Sequence, residues 1–152
     1  MTVLSNITHR AAHERTHAAD QADSHQTLIL TSAANTIAVQ AILDKLIDSH
    51  HFETSQIKTD SESLTHWGKD WTKHFAPAAA AIVFPKTTEQ VQTIVLLANE
   101  YKVVLTPSGG RTGLSAGAVA ANGEIVVSMD KMNRIGQFYP ADRLVEIEAG
   151  VV

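Results

Sequence analysis

Read for hydrophobic and polar periodicity, the chain falls into two unlike parts. From Thr8 to Thr27 there is no large apolar side chain. Such a segment buries nothing that could offset its ordering entropy, so residues 1–32 are expected to form a polar, disordered or loosely helical extension. A helical repeat runs from about Ala33 to His51. Ile37, Ala41, Leu43, Leu46 and Ile47 recur along it, with Asp44, Lys45 and Asp48 between them. Residues 52–76 are mixed and contain Trp67 and Trp71. Ala79 to Phe84 is a continuous apolar run closed by Pro85, the pattern of a buried strand. Thr87-Thr88-Glu89-Gln90 reads as a capping box, and Val91, Ile94, Val95, Ala98 and Tyr101 form the apolar face of the helix it opens. Val103 to Thr106 predicts a second strand, stopped at Pro107. Strand, helix and strand make one βαβ unit, whose strands should be parallel. After an Asn122-Gly123 turn, Glu124 to Met129 predicts a third strand. Ile135–Tyr139 and Leu144–Ala149 flank Pro140-Ala141-Asp142-Arg143, as in a hairpin. The expected fold is α/β (α+β): an N-terminal helix, a βαβ parallel core and the start of an antiparallel subdomain, within residues 33–152.

Composition narrows the chemistry. The chain has 152 residues, with 44% hydrophobic and 18% charged side chains, which suits a globular domain with a tail. Twelve basic and sixteen acidic residues give a formal charge of −4. That argues against nucleic-acid binding by phosphate neutralisation, which needs a basic face. No apolar run approaches the roughly 20 residues that span a bilayer. The first 27 residues lack the apolar stretch of a signal peptide. The absence of cysteine excludes disulfides, thiolate metal sites and cysteine nucleophiles, and fits a cytoplasmic setting.

The candidate chemistry centres on the segment after the second strand: Ser108, Gly109, Gly110, Arg111, Thr112, Gly113, Leu114, Ser115, Ala116, Gly117 and Ala118. It leaves the carboxyl end of a predicted parallel strand, where open α/β sheets bind ligands. Gly109, Gly110, Gly113 and Gly117 can take positive φ and admit close approach to a ligand. Successive N–H groups can converge on an anion. Thr112 and Ser115 add hydroxyl donors, and Arg111 adds a charge. These parts suit a pyrophosphate. A Walker loop is excluded because no Gly-Lys-Ser/Thr follows, and a Rossmann fingerprint because the loop opens no helix. The alternative is a flexible loop whose glycines serve tight turns.

The stretch Pro107 to Ala118 resembles the pyrophosphate loop of FAD-linked oxidases of the vanillyl-alcohol oxidase/p-cresol methylhydroxylase (PCMH) type. It is most similar to their D-2-hydroxyacid dehydrogenase branch, which acts on D-lactate, glycolate or D-2-hydroxyglutarate. The resemblance extends to Asp70-Trp71-Thr72, to Ile82 through Val91, to Met129 through Ile135 and to Val145 through Val151. It covers about residues 33–152, and so implies the N-terminal, incomplete part of a PCMH-type FAD-binding domain. Ala116 stands where the family usually has glycine, and Ser108 where arginine is frequent. The resemblance implies FAD as cofactor, with Ser108 to Ala118 (Ala116 apart) as its binding residues. For a longer parent it implies hydride transfer from the Cα of a small D-2-hydroxy acid to flavin N5, with histidine-assisted deprotonation. No residue here is assigned that base. A chain this short is expected to be a truncated product or N-terminal fragment, inactive alone, associating through the unpaired edge of its last hairpin. Cytoplasmic location is expected, with peripheral membrane association of the parent left open. The alternative is a non-catalytic fragment that keeps a phosphate loop without useful flavin affinity.

Other constellations are weaker. His13-Glu14-Arg15-Thr16-His17 matches the zinc-protease pattern His-Glu-x-x-His, but in a polar segment with no source of a third ligand. His9, His13 and His17 could chelate a metal adventitiously were the segment helical. Trp67 and Trp71 read as packing surface rather than a stacking platform. Glu146 and Glu148 read as the wet side of a strand. Lys131 and Arg134 read as an exposed turn.

Overall fold

The computed structural model describes residues 32–152. Apart from Ser32, the expected polar extension lies outside the described residues, as do His9, His13, Glu14 and His17 and the two metal readings that rest on them. Among the described residues, no group of three or more His, Cys, Asp or Glu could hold a metal ion. No helix among them is long and apolar enough to cross a membrane.

Helix α1 spans 32–50 and buries Val39, Ile42, Leu43 and Leu46. Its buried face differs from the predicted one, for Ile37 is 72% exposed and Ile47 37% exposed. Positions 39, 42, 43 and 46 repeat every three or four residues and form one stripe, while 37 and 47 fall outside it. The helix stops where His51 turns left-handed, with φ 56. The mixed stretch that follows holds a 3-10 turn (Thr54–Gln56), strand β1 (Ile57–Lys58) and helix α2 (Ser61–Trp67). The Asp60 carboxylate caps α2 by accepting the Ser63 N–H at 2.9 Å.

Strand β2 (Ala81–Val83), helix α3 (Thr88–Tyr101) and strand β3 (Leu105–Ser108) realise the βαβ unit, and β4 spans Ile125–Ser128. Thr87 caps α3 through its hydroxyl, which accepts the Gln90 N–H at 3.3 Å. The Gln90 side chain does not return to Thr87 as the capping box predicts. It accepts instead from the Lys86 N–H at 2.7 Å and the Gln56 amide at 3.0 Å, tying the helix start to the 3-10 turn. Along α3, Ile94, Leu97 and Ala98 are buried while Val95 is 42% exposed. Leu97, three residues beyond Ile94, takes the core position that the sequence pattern assigns to Val95.

The sheet order is β1-β2-β4-β3. β2 and β3 each pair in parallel with β4, which lies between them, and β1 pairs antiparallel with β2. β3 runs through Pro107 to Ser108 rather than ending at Thr106. It is the edge strand of this sheet, so the N–H that proline lacks is not needed by a second neighbour. Alternate residues serve opposite faces. Ala81, Val83, Ile125 and Val127 pack with the core residues of α1 and α3. Ile82, Phe84 and Val126 pack with Ala79, Ala120, Leu64 and Trp67. Burial on both faces explains why β2 and the first three residues of β4 are all apolar.

β5 (Ile135–Tyr139) and β6 (Leu144–Ile147) form the predicted antiparallel hairpin, with Tyr139 opposite Leu144 and Arg143 at φ 54 in the turn. Ile135, Phe138, Leu144 and Ile147 are all between 58% and 66% exposed.

Candidate cofactor-binding site

Because β2, β3 and β4 are parallel, their carboxyl ends share one edge of the sheet. Three chain segments leave there: the start of α3, the glycine loop after Ser108, and the 3-10 turn Met129–Lys131. Ligands of open α/β sheets bind at such an edge.

The segment after α2 braces the loop. The Trp71 N–H donates to the Gly113 carbonyl at 3.2 Å, and the Thr72 hydroxyl accepts the Ala116 N–H at 3.0 Å. The Asp70 carboxylate accepts the Thr72 N–H at 2.7 Å through Oδ1. Its Oδ2 is buried and has no hydrogen-bond partner. On the other side, Asp130 gathers the loop to the sheet. Its Oδ2 accepts the Trp67 indole N–H at 2.8 Å, and Nη1 of Arg111 lies 3.2 and 3.1 Å from its two oxygens. The Arg111 guanidinium also lies over the Trp67 ring, 5.9 Å from its centroid. Burial opposes ionisation of Asp130, but the hydrogen bonds from Trp67, Arg111 and Ser128 outweigh it and hold the carboxyl below its ordinary value.

Between these braces the N–H groups of Gly109 through Ser115 have no hydrogen-bond acceptor among the described residues. Gly110 and the run Thr112 to Ser115 are exposed, so this stretch of unpartnered backbone is open to solvent. The glycines serve a different need from the one expected. Gly109, Gly110, Gly113 and Gly117 do not carry the positive φ; Arg111 (φ 58) and Ala116 (φ 60) do. Gly110 and Gly113 are close-approach positions instead. A Cβ on Gly110 would meet Val152 Cγ2 at 3.0 Å, and one on Gly113 would meet Asp70 Oδ2 at 3.3 Å. Left-handed φ at Arg111 is sustained by the contacts of its side chain, and at Ala116 by the Thr72 hydroxyl.

The other proposed binding residues divide by position. Thr112, Leu114, Ser115 and Gly117 are exposed, while Gly109, Arg111 and Ala118 are half-buried. Ser108 is 2% exposed, and its hydroxyl is buried in β3 without a partner. His66, Lys69, Asp70, Trp71, Gly110 and Arg111 line one hollow beside the loop. Lys69 and Lys73 join no ion pair among the described residues, so their charges remain available to an anion. Sequence reasoning missed both lysines and Asp130, because nothing in their spacing places them at the loop. Trp67 is packed against Phe84 at 5.2 Å, whereas Trp71 is 69% exposed and is not the packing surface expected. Arg134 pairs with Glu148 at 3.4 Å, and Glu148 is half-buried rather than fully wet.

Known proteins resemble this chain in sequence and in fold. Residues 79–152 match a family described as "FAD binding domain". Over 100 residues the chain is 63% identical to a D-2-hydroxyglutarate dehydrogenase of Stutzerimonas stutzeri (strain A1501), covering 66% of this chain and 22% of that protein. Over 96 residues it is 46% identical to a D-2-hydroxyglutarate dehydrogenase of Xanthomonas citri pv. viticola, covering 63% and 20%. It thus spans about a fifth (22% and 20%) of the length of these relatives. Among solved structures, p-cresol methylhydroxylase with substrate bound superposes with a TM-score of 0.61 at 27% identity, covering 79% of this chain and 23% of that one. An alkyldihydroxyacetonephosphate synthase shares the fold, with a TM-score of 0.64 at 20% identity over 74% of this chain and 23% of its own.

Proposed function

We propose that this chain is the FAD-binding part of a D-2-hydroxyglutarate dehydrogenase-like flavoprotein of the PCMH type, to which its sequence and fold are similar, and that its glycine loop holds the pyrophosphate of FAD. The observation that supports this most directly is the row of unpartnered N–H groups from Gly109 to Ser115. Two phosphates bring negative charge and many acceptor oxygens, and convergent backbone dipoles answer both without a mobile side chain. Thr112 and Ser115 add hydroxyls. Gly117 and Ala118 let the chain leave the site, and Ser108 anchors the loop from below. The binding unit is taken as residues 33–152.

The bound flavin would supply a two-electron acceptor for hydride from a D-2-hydroxy acid, with D-2-hydroxyglutarate the substrate its relatives' names favour. The residues of this chain bind and orient. The sheet edge sets the loop, Asp70 to Thr72 and Asp130 brace it, and Lys69 and Lys73 attract the anion. A cytoplasmic setting and association through the exposed hairpin belong to the same reading.

Titration of the purified chain with FAD, followed by flavin absorbance and calorimetry, tests the proposal. Saturable binding that ADP displaces and riboflavin does not is the expected result, since riboflavin lacks the pyrophosphate. Binding of riboflavin as tight as FAD, or no binding of either nucleotide, would refute it.

A further inference from the structure

Resting on that FAD-binding reading, we propose that Asp130 is a positioning residue: it latches the phosphate loop through Arg111 and Trp67, and in doing so withdraws the Arg111 charge from ligand recognition. Arg111 is the one strongly basic side chain within the loop and would be expected to face an anionic ligand. Its guanidinium instead lies against Asp130, with the Trp67 indole completing the contact. The pair is largely screened from water, at 22% and 33% side-chain exposure. Charge-assisted contacts are strong at such depth.

Three segments meet at this carboxylate. Trp67 ends α2, Arg111 lies in the loop, and Asp130 is the middle residue of the turn leaving β4. The Asp130 main chain is itself held, since its carbonyl accepts from the Asn133 side chain at 3.1 Å. The latch also meets a need. Arg111 sits at φ 58, a conformation L-residues resist and one that must be held by its surroundings. With residue 111 held left-handed, the neighbouring N–H groups remain without partners among the described residues. The ligand's phosphates then meet backbone donors and Lys69, while Arg111 shapes the loop.

This assignment makes an unusual prediction of sign. Asp130→Asn removes one negative charge beside the site. A purely electrostatic role would therefore tighten FAD binding, whereas a latch would weaken it. The experiment uses the full 152-residue chain with Trp71→Phe as reference, so that emission reports Trp67 alone. Circular dichroism first establishes that each variant folds. Without ligand, D130N is expected to shift Trp67 emission to the red. With FAD it should bind at least about tenfold more weakly than the reference, as fits loss of one hydrogen bond to a charged group. Arg111→Gly relieves the backbone strain but removes the side chain, and should weaken binding to a similar degree. The double variant should be no weaker than either single one, because one contact is lost in all three. Binding by D130N equal to or tighter than the reference overturns the proposal. If D130N does not fold, R111G decides: reference-like affinity would mean that only the left-handed backbone mattered. If the reference itself binds no FAD, the functional reading fails. The ligand-free Trp67 emission then still decides the latch, upheld by a red shift in D130N and overturned by its absence.

Discussion

Replacing Ala116 by glycine asks whether the loop is held in a conformation that its own residue resists. Ala116 has φ 60, and left-handed backbone costs an L-residue about 1–2 kcal/mol. Glycine removes that cost. It also frees the unfolded chain, which takes back roughly 0.4–1 kcal/mol. The bond from the Ala116 N–H to the Thr72 hydroxyl, 3.0 Å long, is a backbone contact and survives the change. The net gain is therefore roughly 0.5–1 kcal/mol. For a chain of this size that raises the melting temperature by about 1–4 °C. Thermal unfolding followed by far-ultraviolet circular dichroism at fixed protein concentration reads this directly. Gly117→Ala is the matched control in the next position. Gly117 is not left-handed and a Cβ there meets nothing within 4 Å, so alanine should raise stability slightly through the unfolded chain alone. A melting temperature lowered by A116G would refute the reasoning, because the methyl group would then contribute more than its backbone costs.

Gly150→Ala should be far more damaging. A Cβ at that position overlaps the Met129 carbonyl, and the clash is with backbone that carries the β4 exit, so a loss of roughly 3 kcal/mol or more is expected in urea unfolding. Acid should release the loop latch. Asp130 is held below its ordinary value of 3.8, so its contribution is fully present above that pH and is lost as pH falls through the lower folded value. Trp67 emission in the Trp71→Phe chain should therefore be flat from neutrality to about pH 4 and change only below it; a transition centred above that point would contradict the assignment. The hairpin should drive association, since Phe138 and Ile147 are each 58% exposed in neighbouring strands. Sedimentation velocity should show concentration-dependent oligomers that Phe138→Lys with Ile147→Lys suppresses, and a wild-type monomer at every concentration would rule this out.

Much of the architecture is local in origin, and to that extent it is legible along the chain. An apolar run ended by proline gives β2, a hydroxyl cap gives the start of α3, and a turn between two alternating runs gives the hairpin. Each depends on neighbours within a few residues, where side-chain period and backbone preference act directly. The glycine loop was legible for the same reason: its residues are contiguous, and its place after a strand follows from the pattern. Its resemblance to a flavoprotein loop agrees with the family match over residues 79–152.

What tertiary structure decided is which face and which partner. Ile37 and Val95 have the character of core residues, yet Leu97 and Val39 are the ones buried, because burial depends on where the sheet lies. Pro107 could join a strand only because β3 is an edge. Gln90 could bond Lys86 and Gln56 only after the 3-10 turn was brought beside α3. The site shows the same division. Sequence assigned Arg111 as a charge for the ligand, but Asp130, nineteen residues away, reaches it because both segments leave the sheet at the same edge. Left-handed φ fell on Arg111 and Ala116 rather than on the glycines, since contacts from Asp130 and Thr72 can hold a strained residue where local preference alone would choose glycine. Local chemistry along the chain thus determined which elements form and where the glycine loop lies. The loop's shape and the charges left to face a ligand depend on contacts between distant segments, whose partners only the assembled sheet brings within reach.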